Sequence, residues 1–145
     1  MIEAHDKALP ALGYDAIDPR QLDTFAYEHP EQRIDLLIET SEFTAVCPFT
    51  GLPDFGTVRV RYVPRQSCIE LRSFKYYLLS YRNVGIYYEH AVNHILNDLV
   101  RCCDPHEMTV ELEYTPRGGM RTVASASYCR LADKRRPRRA RASRR

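Results

Sequence analysis

The chain has 145 residues, 44% of them hydrophobic and 28% charged, which is enough for one domain with a sizeable core. No apolar run approaches the ~20 residues a membrane span needs, and no basic segment followed by an apolar stretch opens the sequence, so neither a spanning helix nor a secretory leader is expected. The net charge of +2 hides an uneven spread: residues 133–145 hold eight Lys or Arg and one Asp, a net +7, which leaves −5 on the other 132 residues.

Residues 1–30 show weak periodicity and read as an irregular lead-in. Ile34, Leu36, Leu37 and Ile38, followed by Phe43 and Val46, make a strand that enters a loop. That loop is Cys47-Pro-Phe-Thr-Gly-Leu-Pro-Asp-Phe-Gly56. Its prolines fix φ and its glycines permit turns, so the segment reads as a shaped loop and not as a strand interior. Residues 57–63 alternate cleanly, with Val58, Val60 and Tyr62 on one side and Arg59 and Arg61 on the other, as in a half-buried strand. After a turn at 64–67, residues 68–71 form a short antiparallel strand. Ser73 caps a helix running to about Asn83 and ended by Gly85.

A second helix starts near Tyr87 or Tyr88. Val92, Ile95, Leu96, Leu99, Val100 and Cys103 form one stripe of period 3.6, and Asp104-Pro105 stops it. Met108, Val110, Leu112 and Tyr114 alternate as a third strand. Residues 116–119 turn, and 120–130 form a fourth strand. The expected fold is α+β, a four-stranded antiparallel sheet with two antiparallel helices on one face in the order ββααββ. Uncovered sheet edges point to oligomerisation. The expected division is a domain over 1–132 and a basic, disordered tail over 133–145, open to weak contact with a polyanion such as RNA.

Chemistry concentrates in three places. The loop carries a thiol, Cys47, and a carboxylate, Asp54, that a rigid backbone can hold over one reacting atom. The segment 70–77 puts Glu70, Arg72 and Lys75 at a strand-to-helix junction, where helix N–H groups and two cations suit a phosphate. Glu89, in the first turn of the second helix, suits either capping or the N–H edge of a flat heterocycle lined by Tyr87 and Tyr88. The other cysteines, Cys68, Cys102, Cys103 and Cys129, show no ligand spacing. Five cysteines without Cys-x-x-Cys argue against a disulfide framework and for a reducing cytoplasm. His90 and His94 lie four apart on a helix, a spacing that can hold a metal, but no further ligand motif accompanies them.

These segments together resemble a family, the nitrile reductases that convert 7-cyano-7-deazaguanine to 7-aminomethyl-7-deazaguanine. The family's Cys-Pro-x-Thr-x-x-Pro-Asp loop, its Glu-(Ser/Leu)-Lys-(Ser/Ala)-(Phe/Leu)-Lys-(Tyr/Leu)-(Tyr/Phe/Trp) strand-to-helix segment (one substitution here), its Gly-x-x-x-Glu segment and its Pro-Arg-Gly-Gly turn appear here in order, over roughly residues 30–130. The resemblance implies the tunnelling fold, in which subunits join their sheets into an oligomeric barrel, ten as two stacked pentamers, with active sites between neighbours. It implies a cytoplasmic, NADPH-dependent enzyme of queuosine tRNA modification. Cys47 resembles the nucleophile that forms a thioimide, and Asp54 the proton donor. Tyr88 and Glu89 resemble substrate-binding residues, as do Ile69, Glu70 and Leu71. Arg72, Lys75 and Arg117 resemble the cations that meet NADPH, and no metal is implied. Arg72 stands where lysine is usual, a planar fork in place of a point charge. Tyr88 stands where many relatives have histidine and is uncharged near neutral pH.

No Gly-x-Gly-x-x-Gly follows a strand, so a Rossmann unit is not expected. Three other functions compete. An amidine-forming transferase on modified tRNA shares the thioimide but should lack the 70–77 motif. A pterin-pathway zinc enzyme of the same fold needs ligands near the loop, which are not seen. A basic-tailed RNA-binding module is at odds with the acidic body.

Overall fold

The computed structural model describes residues 10–134. Its centre is a four-stranded antiparallel sheet of order β2-β3-β5-β6, formed by β2 (Leu36–Val46), β3 (Pro53–Val63), β5 (Glu107–Tyr114) and β6 (Val123–Cys129). Two helices, α1 (Leu71–Leu79) and α2 (Tyr88–Cys103), cover one face. The core between them contains Phe43, Val58, Val60, Tyr62, Met108, Val110 and Leu112 from the sheet and Phe74, Tyr77, Ile95 and Leu99 from the helices. The opposite face is wetted by charge: Arg59 pairs with Glu39 and Glu113, and Glu113 also pairs with Arg121.

Several expectations are corrected. The short strand after the turn, β4 (Ser67–Ile69), is not in the main sheet. It pairs instead with β1 (Thr24–Ala26), which lies inside the lead-in expected to be irregular. The main sheet takes β2 in its place. The lead-in also holds two 3₁₀ turns, Tyr14–Ala16 and Pro19–Gln21. The loop is shorter than expected, because Pro53 already pairs with Val46 and Asp54 with Ala45. Asp54 and Gly56 are therefore strand residues. Proline is tolerated there because it is the first residue of β3.

Ser73 is not the N-cap of α1. Glu70 is, and its carboxylate accepts from Arg72 N at 2.8 Å and Ser73 N at 2.7 Å. Ser73 bonds back to the Glu70 carbonyl at 2.7 Å and accepts from Asp23 N at 2.9 Å, which ties the lead-in to α1. The helix ends at Leu79, and residues 80–83 are turn. The expected stripe of α2 is buried except for Val100, which is half-buried.

One irregularity in β2 decides where the site forms. Leu36, Ile38 and Thr40 alternate inward, but between Thr40 and Phe43 the register slips and two residues oppose one on β3. After this bulge the inward positions are Phe43, Ala45 and Cys47. Without it, strict alternation would turn Cys47 to the opposite face.

The first residue of the basic segment, Asp133, is tied to the body: its carboxylate lies 2.8 Å from His106 Nδ1. Residues 135–145 lie outside the described residues, as do residues 1–9 of the lead-in.

Candidate active site

Cys47 begins a tight loop that closes on itself. Its N–H donates to the Leu52 carbonyl at 2.9 Å, and Gly51 N–H donates to the Cys47 carbonyl at 2.8 Å. Gly51 sits at φ 69°, the left-handed region glycine enters without a Cβ penalty. The strand leading into the loop is held from the side: Val46 N–H donates to Val84 O at 2.9 Å, and Ile86 N–H to Val46 O at 3.1 Å. This pairing brings the segment before α2, and with it Tyr88 and Glu89, alongside the cysteine. The lead-in seals the far side, with Leu12 N–H on Asn83 O at 2.7 Å and Gly85 N–H on Leu12 O at 3.0 Å.

Cys47 is buried, only 7% exposed. Burial pushes its pKa up, but hydrogen bonding from the Thr50 hydroxyl, from the Thr50 and Phe49 backbone and from the Arg117 guanidinium outweighs burial, and the net shift is down from the ordinary thiol value. The other shifted thiols go the opposite way. Burial raises Cys68 and Cys102, and pushes Cys103 up to about 12. Of these four thiols, Cys47 alone is shifted toward the thiolate.

Asp54 is 5% exposed and paired with Arg117. The Pro-Arg-Gly-Gly turn explains how Arg117 gets there. Gly118 at φ 56° and Gly119 at φ 74° form the two-residue tip, closed by Arg117 N–H on Met120 O at 3.1 Å and Met120 N–H on Arg117 O at 2.9 Å. At the base of this hairpin, Thr115 N–H donates to Phe55 O at 3.0 Å, next to Asp54. Arg117, expected only as a cofactor contact, therefore pairs with Asp54 and helps lower the Cys47 pKa.

Tyr88 packs edge-on against Tyr114 with ring centroids 4.7 Å apart. Glu89 is exposed in the first turn of α2, and no hydrogen bond takes its carboxylate among the described residues. The remaining expected residues form a second group. Ile69 is buried in the core, its N–H on Tyr62 Oη at 3.0 Å. Leu71 is exposed. The Arg72 guanidinium lies 5.9 Å above the Tyr76 ring, and Lys75 pairs with Glu42. Among the described residues no hydrogen bond or ion pair joins this group to Cys47 or Asp54. Because Glu70 already occupies Arg72 N and Ser73 N, the start of α1 does not offer those amides to a phosphate. The side chains of Arg72 and Lys75 remain, both on the surface, and they fit a phosphate-bearing cofactor.

Two contributors escaped the sequence reading. Thr50 was part of a recognised motif but had no assigned role, and Tyr114 read only as a strand core residue. His94 packs edge-on against Tyr14 at 5.0 Å. Among the described residues no three His, Cys, Asp or Glu side chains gather as a metal site, and no helix is long and apolar enough to cross a membrane.

Residues 53–133 match the QueF-like protein family. Curated relatives named "NADPH-dependent 7-cyano-7-deazaguanine reductase" include one from Chlorobaculum tepidum, 50% identical over 107 residues that cover 74% of this chain and 92% of the relative. Another, from Caldicellulosiruptor bescii, is 50% identical over 116 residues, 80% of this chain and 88% of the relative. Among solved structures, the apo archaeosine synthase QueF-Like aligns with a TM-score of 0.58 at 23% identity, over 66% of this chain and 91% of that one, a likeness of fold. On the family match and the extent of these identities, the chain belongs to the QueF-like family.

Proposed function

We propose that this chain reduces the nitrile of 7-cyano-7-deazaguanine to the aminomethyl group of 7-aminomethyl-7-deazaguanine with NADPH, as a step of queuosine tRNA modification. One observation carries the reading: a buried thiol drawn toward its thiolate by Thr50, Phe49 and Arg117, beside a buried carboxylate. Relatives at about half identity bear the name of that reductase.

Cys47 adds its thiolate to the nitrile carbon, forming a C–S bond while the π electrons move to nitrogen. The nitrogen takes a proton from Asp54, giving a thioimide. Such a positioned proton transfer typically contributes roughly 10²–10⁴-fold. To deliver a proton, Asp54 must first carry one, so its pairing with Arg117 has to loosen during the cycle. When bound, NADPH would supply one hydride for the thioimide carbon and, once sulfur leaves the Cys47-bound carbon as thiolate to give an imine, a second for the imine carbon, each matched by a proton taken up at nitrogen from solvent. Arg72, Lys75 and Arg117 hold the phosphates, and Ile69, Glu70, Leu71, Tyr88 and Glu89 hold the deazaguanine. The 69–75 segment and the cluster of Cys47, Asp54, Arg117, Tyr88 and Glu89, separate within one chain, meet across a subunit boundary in an oligomeric barrel, a decamer in this reading. The enzyme is cytoplasmic, with its domain over 1–132 and a basic tail over 133–145.

NADPH absorbance, followed with purified protein and 7-cyano-7-deazaguanine, tests this. The expected result is two NADPH consumed per nitrile, and none with Cys47→Ala. A Cys47 adduct by mass spectrometry without oxidation would replace the reductase by an amidine-forming transferase. Neither oxidation nor adduct overturns the reading.

A further inference from the structure

The loop motif ends on Gly56, which the chemistry above does not use. In the sheet Gly56 pairs with Tyr114, and a Cβ at position 56 would lie 2.5 Å from Tyr114 Cδ1 and 2.8 Å from the Glu113 carbonyl oxygen. The missing side chain is the space in which the Tyr114 ring lies. That ring stacks on Phe43 at 6.2 Å and meets the edge of Tyr88 at 4.7 Å. Tyr114 is 7% exposed, and its hydroxyl has no hydrogen-bond partner among the described residues.

Tyr81 does not supply a donor. Tyr77 gives its proton to Asp98 Oδ2 at 2.6 Å, so the proton shared with Tyr81 at 2.8 Å comes from Tyr81. A buried hydroxyl without a partner is costly, and phenylalanine would fill the same space without that cost. Burial, then the charges of Glu89, Tyr81, Tyr88 and Cys47, push the Tyr114 pKa up, so the phenol keeps its proton at any physiological pH. An unspent donor therefore lies among the thiol, the carboxylate and the tyrosine assigned to substrate.

We propose that the Tyr114 hydroxyl is a substrate-binding group, which donates a hydrogen bond to the heterocycle of bound 7-cyano-7-deazaguanine between Glu89 and Cys47. The inference rests on the reductase reading. Tyr88, half-buried at the start of α2, packs against the Tyr114 ring, so a shift of the Tyr88 ring as it takes up the heterocycle opens the way to the hydroxyl.

The test compares full-length Cys47→Ala with Cys47→Ala/Tyr114→Phe, so that covalent chemistry does not mask binding. Calorimetric titration with 7-cyano-7-deazaguanine is expected to give a roughly three- to tenfold weaker Kd in the double variant, the worth of one hydrogen bond. Thermal melts without ligand are expected to show Tyr114→Phe at least as stable as its parent. Equal affinity in the two proteins overturns the inference and leaves the reductase reading intact. So does a ligand-free Tm clearly lowered by Tyr114→Phe, because the hydroxyl would then have a protein partner. Turnover without measurable binding loss in Tyr114→Phe likewise overturns it. A wild-type protein that neither binds nor reduces the nitrile overturns the reductase reading, and the inference with it.

Discussion

Thr50 and Gly56 show how much of this site rests on single small groups. The Thr50 hydroxyl accepts from Leu52 N–H at 3.3 Å, and its hydrogen bonding is the largest of the effects that lower the Cys47 pKa. Thr50→Val keeps the shape and removes that donor. The Cys47 pKa then rises, so less thiolate is present at pH 7. Iodoacetamide labelling of Cys47 is expected to slow by roughly two- to tenfold there, since such a bond is worth about 0.5–1.5 kcal/mol. The difference must vanish at pH values well above the ordinary thiol range, where both proteins are fully ionised. A difference that persists at high pH would mean that access, and not ionisation, had changed. Gly56→Ala acts through packing. The added methyl collides with the Tyr114 ring and with backbone, and overpacking of this kind costs about 1–3 kcal/mol. A fall in Tm of several degrees, with weaker nitrile binding, is the expected result. Cys47 and Asp54 were legible in the sequence, because a thiol and a carboxylate in a Pro- and Gly-bounded loop advertise themselves. Tyr114 was not, because its alternation with Met108, Val110 and Leu112 is the ordinary signature of a core strand.

At the scale of the element, the bulge in β2 is what the sequence did not disclose. Its two residues, Ser41 and Glu42, are polar and exposed, and no glycine marks the slip. Deletions separate its role from that of strand length. Deleting Ser41 removes the bulge but leaves Phe43, Ala45 and Cys47 inward, so Cys47 labelling and turnover are expected to survive. Deleting Thr44 leaves two poor choices. Either Cys47 turns to the charged face, or Glu42 takes the buried place of Phe43 against Tyr81, where an unpaired carboxylate is costly. A large loss of Tm or of Cys47 reactivity in the Thr44 deletion, beside a mild effect of the Ser41 deletion, is the predicted contrast. Equal damage from both would show that bulge geometry matters more than parity. The helices were easier to read than the strands. The stripe of α2 came straight from its 3.6 period, whereas the start of α1 was misplaced by three residues. Ser73 resembles a cap in sequence, but Glu70 reaches both first-turn amides and wins.

For the whole molecule, one chain places Cys47, Asp54 and Arg117 together and leaves Arg72 and Lys75 on a separate surface. Among the described residues the outer strands of the sheet are β2, bonded on its outer side at Val46 by the segment before α2, and β6, and exposed apolar side chains at Phe49, Leu52 and Phe55 lie in or beside the loop, Phe49 being 87% exposed. Large apolar groups beside the Cys47 thiol are expected to be covered by another copy. If sites form between neighbours, two separately inactive variants can complement each other. In this reading Cys47→Ala lacks the nucleophile, and Arg72→Ala/Lys75→Ala lacks two of the three cofactor cations. Each alone is expected to be inactive or nearly so. Unfolded together and refolded as a mixture in equal amounts, they should regain about a quarter of wild-type activity, because one site in four then draws an intact half from each neighbour. Light scattering should give a mass that is a multiple of the 16.9 kDa chain for each variant and for the mixture. Assembly without recovered activity would mean that each site is built within one chain. The two clusters would then have to be brought together by movement of α1 toward the Cys47 loop, not by a neighbour.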